Sequence, residues 1–96
     1  MTTPEIFGAI DLGASSGRVI AGVLSDSGLE LHELARFPNG PVATGNQLHW
    51  DFDALFSAIK AGLQTLGDFA SERGQTVKSI GIDTWAVDYG LIDGSG

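Results

Sequence analysis

Apolar and β-branched residues crowd the first third of the chain in short runs, each ending at small or acidic residues. Ile6 to Leu12 is the first run, and with Asp11 and Gly13 at its end it predicts a buried strand leading into a turn. Ala14 to Gly17 supply that turn, Arg18 to Leu24 a second strand, and Ser25 to Gly28 a second turn. A third strand is expected over Leu29 to Phe37. Strands joined by such short turns pair antiparallel without crossovers, so the chain opens as a meander. Between Pro38 and Leu48, Asn39, Gly40, Pro41, Gly45 and Asn46 interrupt the pattern, and the stretch reads as an irregular loop. From Asp51 the period changes. Phe52, Leu55, Phe56, Ile59, Leu63 and Leu66 recur at helical spacing and predict an amphipathic helix, with Asp51 as N-cap and Gly74 as its stop. Val77 to Ile82 returns to a strand ending at Asp83, and Tyr89 to Ile92 offers a short fifth one.

A helix between the third and fourth strands permits a crossover that lays the fourth parallel to its neighbour, giving an α/β fold with a mixed sheet. The order β-β-β-α-β resembles the opening of the ribonuclease H-like (actin-like ATPase) fold. Residues 1–96 then read as the first part of one such domain, with no internal boundary, repeat or low-complexity tract. A chain this short has little core to spare and leans on contacts beyond its ends.

Composition narrows the classes of function. A formal net charge of −7 argues against nucleic acid or an anionic membrane surface as partner, since both attract Lys and Arg. It is compatible with a nucleotide, whose phosphates need only a local nest of backbone amides and a metal ion. The absence of cysteine removes thiolate chemistry and disulfides. Met1 to Ile6 lacks the basic start and long apolar run of a secretory leader, so a cytoplasmic location is expected. Nothing in the pattern specifies an oligomeric state.

The segment from Asp11 to Arg18 carries the most chemistry. A carboxylate leaves a strand where a tight turn of small residues begins, and a cation follows on the next strand. Ala14, Ser15, Ser16 and Gly17 let backbone N–H groups approach a phosphate closely, the two hydroxyls add donors, and Asp11 can hold Mg2+ through water. Arg18 either supports the turn or meets phosphate. Two better-known phosphate loops do not fit these letters. Ala14 stands where a Walker A loop beginning at Gly8 needs its lysine, and the spacing and following helix of a dinucleotide fingerprint are both missing. On residue chemistry alone, a plain hairpin in which Asp11 caps the turn is an equally good reading.

A second segment runs Ser79, Ile80, Gly81, Ile82, Asp83, Thr84, Trp85, Ala86, Val87, Asp88 and Tyr89. Trp85 brings an apolar face and an N–H beside hydroxyl and carboxylate groups, a mixture suited to a sugar. The bland alternative is packing by Trp85 and turn-capping by Asp83 or Asp88, with Ala86 an ordinary position where glycine would only add backbone entropy. Arg36 to Val42 and His49, Trp50 and Asp51 read as structural, His49 as a loop residue with a local hydrogen bond.

Taken in order, these segments resemble the FGGY carbohydrate kinase family, and within it the rhamnulokinase branch. The first is similar to the phosphate hairpin shared by actin, Hsp70 and the sugar kinases, although FGGY relatives more often have threonines in the turn. The second is similar to the segment that lines the sugar pocket. The resemblance implies an ATP-dependent kinase that transfers the γ-phosphoryl group to O1 of L-rhamnulose. ATP would lie on Ala14, Ser15, Ser16, Gly17 and Arg18, Mg2+ at Asp11, and the sugar on Asp83, Trp85 and Ala86. Ala86 occupies a position that many members fill with glycine and that contacts the ketose. The catalytic base and the adenosine pocket are expected beyond Gly96, which would leave the isolated chain inactive. A kinase for another ketose or polyol, and a non-catalytic nucleotide-binding relative, are the alternatives. The Asp83 to Tyr89 segment favours a sugar.

Overall fold

The computed structural model describes residues 3–96; Met1 and Thr2, the start of the segment read for a leader, lie outside the described residues. Three long strands open the chain: β1 (Glu5–Leu12), β2 (Ser16–Ser25) and β3 (Gly28–Pro38). A short pair, β4 (Pro41–Thr44) and β5 (Gln47–Trp50), precedes the helix α1 (Phe52–Glu72), and β6 (Val77–Thr84) closes the regular structure. The main sheet runs β3-β2-β1-β6. β1 pairs antiparallel with β2 and parallel with β6, so the crossover through α1 produces the mixed α/β sheet expected from the helix's place in the chain.

Alternation fixes which face of the sheet is covered. Along β1, Ile6, Gly8, Ile10 and Leu12 point to the helix and are buried, while Phe7, Ala9 and Asp11 point the other way. Ile6, Ile10, Leu12, Val19 and Ala21 from the sheet meet Ile59, Leu66 and Ala70 from the helix in one core. The helix begins where Asp51 Oδ1 accepts the Ala54 N–H at 3.0 Å. It ends in a left-handed residue, Gly74 at φ +67°, with Gln75 N–H bonded to Ala70 O and Gly74 N–H to Ser71 O. That double bond pattern satisfies the last carbonyls and needs the positive φ that glycine adopts freely.

Two expectations are corrected. The stretch Pro38 to Leu48 is not an irregular loop: Pro41 to Thr44 pairs antiparallel with Gln47 to Trp50 around Gly45 and Asn46. Gly45 at φ +64° supplies the left-handed residue of a two-residue hairpin turn, so the breakers mark the turn of a short ribbon outside the main sheet. The element order is therefore β-β-β, an inserted hairpin, then α-β. Conversely, Tyr89 to Ile92 forms no strand. Tyr89, Leu91 and Ile92 are almost fully exposed, and an apolar run without a neighbour to pair with has no ladder to join.

The packing is one-sided. β6 is an edge strand, and its Ile80 and Ile82 remain half-exposed on the helix face. The radius of gyration is 16.1 Å, against about 12 Å for a compact domain of this length. Among the described residues, no helix is long and apolar enough to cross a membrane.

Glycines in α1 test this packing in opposite directions. At Gly62 a Cβ would overlap Val19, which is fully buried and stiff at χ1, so the helix sits close to β2 only because this residue has no side chain. Gly62→Ala is expected to destabilise the protein by about 1 kcal/mol, overpacking outweighing the gain in helix propensity. Gly67 has nothing within 4 Å of a built Cβ, so Gly67→Ala is expected to stabilise by about 0.5–1 kcal/mol. Denaturant melts of the two variants check both signs.

Candidate functional site

The turn between β1 and β2 is held from outside itself. Its last strand pair is Leu12 with Gly17. Gly13 N–H donates to Ser16 O at 2.9 Å, Asn39 N–H donates to Ser15 O at 3.0 Å, and Asn39 Nδ2 donates to Gly13 O at 2.8 Å. Carbonyls of the turn are thus occupied. The N–H groups of Ala14 and Ser15 donate in no hydrogen bond among the described residues, and both residues are exposed. Two free amides on a pinned turn are the donors an anion takes. Gly17 is buried under β3, where a Cβ would overlap the ring of Phe37. Arg36 donates to Ser16 Oγ at 3.3 Å and pairs with Glu33 at 2.7 Å.

Asp11 and Arg18 are cross-strand partners, and the guanidinium donates to Asp11 Oδ2 in a partly exposed ion pair. That hydrogen bond, then the Asp11 charge, hold Arg18 above its ordinary pKa, with Glu33 and Asp83 adding smaller contributions. Asp83 stands in register with Asp11 on the parallel neighbour β6. The strand end therefore gathers two carboxylates and one guanidinium on the face opposite α1.

On the helix face at the same end lies a cavity of about 730 Å³. Leu12 and Asn39 line it from the turn side, Leu48, His49 and Trp50 from the hairpin, Phe52 and Leu55 from the helix start, and Thr84 to Gly90 from the segment after β6. Trp50 Nε1 donates to Asp88 Oδ2 at 2.6 Å, bridging hairpin and loop. Ala86 has φ +56°, a left-handed conformation that residues other than glycine rarely adopt.

The structure brings Trp85 and Ala86 into one cavity and places Ala14, Ser15, Ser16, Gly17 and Arg18 around one turn. It separates Asp83 from the first pair. One residue before Thr84, Asp83 takes the opposite face of β6 and sides with Asp11 and Arg18. Trp50 and His49, which the sequence alone leaves as structural residues, line the cavity because the β4–β5 hairpin carries them there. The alternation of Gln47, Leu48, His49 and Trp50 after Gly45 and Asn46 was the available signal. Asn39 was read as structural, and it is the residue that ties the turn to the cavity wall.

Among the described residues no group of three or more His, Asp or Glu side chains could hold a metal ion on its own. Mg2+ does not require such a cage, since it keeps several waters and is held by one or two carboxylates plus substrate phosphates. Asp11, a partly exposed carboxylate at the strand end that opens the turn, fits that mode.

No family model matches the chain. It is 44% identical to a rhamnulokinase of Bacteroides thetaiotaomicron over 90 residues, which is 94% of this chain and 18% of that protein. A rhamnulokinase of Bacillus subtilis is 43% identical over 91 residues, 95% of this chain and 18% of its own length. One of Ligilactobacillus salivarius is 46% identical over 88 residues, 92% of this chain and 17% of its own. The chain spans less than a fifth of the length of these relatives.

Proposed function

We propose, for a chain that is a relative of the rhamnulokinases along nearly all of its length, that the parent protein is an ATP-dependent kinase of the FGGY type transferring the γ-phosphoryl group to O1 of L-rhamnulose. The observation that carries the reading is the pairing of a pinned turn with free amides and a neighbouring cavity rimmed by Trp85 and Ala86 at the same strand ends. In sheets with parallel strands, ligands sit outside the carboxyl ends of the strands, where β1 and β6 deliver both features. The mixed sheet with its crossover helix is compatible with part of a ribonuclease H-like domain, the fold we assign to the parent.

Each residue then has a task. Ala14, Ser15, Ser16 and Gly17 cradle the phosphates, Asp11 orders Mg2+ through water, and Trp85 and Ala86 pack against the ketose. Mg2+, when bound, neutralises charge on the triphosphate. Arg18, paired with Asp11, holds that carboxylate in place. Asp83 stands between the two halves, next in sequence to cavity-lining Thr84 and in register with Asp11. Phosphoryl transfer depends chiefly on such positioning and charge neutralisation. A base for the sugar hydroxyl would come from the rest of the parent protein, and a substrate such as ATP places the reaction in the cytoplasm.

A kinase for another ketose or polyol is the second reading, favoured by one observation: the cavity is lined by Ala86, a residue with a methyl where glycine would leave more room. The test is a coupled assay of the full-length protein with ATP, Mg2+ and a panel of ketoses and polyols. L-rhamnulose should give the highest kcat/KM. Preference for another sugar would select the second reading, and no transfer to any of them would sink the kinase assignment.

A further inference from the structure

We propose that the β4–β5 hairpin is a wall of the sugar site, and that Trp50, through its bond to Asp88, is a positioning residue that fixes the Trp85–Tyr89 loop against the sugar. The inference rests on the kinase reading above and adds to it a residue outside both segments that suggested a sugar kinase.

Residues 85–92 have no regular structure. Among the described residues, the Trp50–Asp88 bond is the one hydrogen bond tying a side chain of that stretch to another element. The loop also holds Ala86 in a left-handed conformation, which persists only when surrounding structure enforces it. Asp88, two residues on, carries the loop's side-chain tie to β5. Its donor is rigidly placed: Trp50 is the last residue of β5 and stands beside Asp51, whose side chain caps α1. Hairpin register, helix cap and loop are thereby joined in a chain of short bonds.

The cavity chemistry agrees with this role. Leu48 and Trp85 turn apolar surface to it, and His49 and Asp88 add polar atoms, a lining that suits the apolar faces and hydroxyl rim of a sugar. Asp88 Oδ2 is taken by Trp50, and no other hydrogen bond involves Asp88 among the described residues. A loop released from Trp50 would still carry its sugar-facing residues but would spend less time in the geometry that receives the sugar. Sugar affinity should fall while the phosphate turn, pinned separately by Asn39, is untouched.

The experiment uses the full-length parent. Trp50→Phe keeps a ring and removes the N–H, Asp88→Leu removes the acceptor, and Asp88→Asn retains an acceptor oxygen. Trp50→Phe and Asp88→Leu should raise the sugar KM by about threefold to tenfold, the scale of one hydrogen bond in partial contact with water. The ATP KM should not change, kcat should stay within about twofold, and the double variant should be no worse than the worse single. Asp88→Asn should restore most of the sugar affinity. Amide exchange in residues 85–90 of the sugar-free protein should quicken in Trp50→Phe. An active parent whose Trp50→Phe variant keeps its sugar KM would overturn this inference alone, as would equal rises in the KM for sugar and ATP. A parent inactive on every sugar would overturn the kinase reading and the sugar-wall role together, and unchanged exchange in Trp50→Phe would overturn the anchoring itself.

Discussion

Replacing Asp11 by alanine in the full-length protein is expected to lower kcat by about 10²- to 10³-fold while changing the sugar KM little, the loss typical of removing one preorganised electrostatic group from a transfer site. The expectation follows from where Asp11 stands. It is on the face opposite the helix, in register with Asp83 at the strand end that leads into the turn, and it does not line the cavity assigned to the sugar. A group that orders a metal on the triphosphate stabilises charge in transfer and contributes nothing to ketose packing, so kcat and the sugar KM should separate.

The ion pair with Arg18 offers a competing explanation. If Asp11 served only to anchor Arg18, Asp11→Ala would remove one partly exposed salt bridge, worth about 0–1 kcal/mol of stability. Asp11→Asn separates the two roles: the amide oxygen can still accept from Arg18, but the charge that attracts the metal is gone. Metal organisation predicts that Asp11→Asn is nearly as slow as Asp11→Ala, with weakened Mn2+ binding to the protein–nucleotide complex measured by paramagnetic relaxation. Anchoring alone predicts near-normal turnover for Asp11→Asn. A normal kcat with only a raised sugar KM would remove Asp11 from the metal site.

What could be read from the sequence was whatever depends on neighbours in the chain. Alternation over Ile6 to Leu12 and the stripe from Phe52 to Leu66 gave strand and helix, and local bonds fixed Asp51 and Gly74 as the helix limits. The departures lie where breakers conceal a local pairing or where the partner is distant in sequence. Pro38 to Leu48 reads as loop because Pro38, Asn39, Gly40, Pro41, Gly45 and Asn46 outnumber its strand formers, yet a two-residue turn lets a short ribbon form on the flank of the sheet. Tyr89 to Ile92 reads as strand from its apolar residues, but no neighbouring strand pairs with it among the described residues. The site shows the same division. The turn we assign to phosphate is contiguous, so its geometry is legible from Asp11 to Arg18, whereas the Trp50–Asp88 bridge joins positions 38 residues apart and leaves no local trace. The resemblance groups Asp83 with Trp85, and the two-residue period of a strand puts it on the other face, beside Asp11.

Ala86 is where the structure changes the terms of a test. An ordinary backbone at this position would make Ala86→Gly mildly destabilising through added entropy in the unfolded chain. At φ +56° the sign reverses. A non-glycine residue there carries about 1 kcal/mol or more of left-handed strain, so Ala86→Gly should leave stability unchanged or raise it by about that amount. An equal or higher melting temperature is therefore expected whether or not the loop meets a sugar, and stability no longer discriminates between the readings. Selectivity does. Ala86 lines the cavity with Trp85 and Val87, and removing its methyl should enlarge the space offered to the ketose without touching the turn assigned to ATP. Ala86→Gly in the full-length enzyme is expected to shift the ratio of kcat/KM between L-rhamnulose and other ketoses by about tenfold or more, the scale of one methyl in a pocket, with the KM for ATP unchanged. Assays of both variants across a panel of ketoses, run beside their thermal melts, measure the two quantities independently. A raised melting temperature with unchanged ratios would leave the strain argument standing and remove Ala86 from the sugar site.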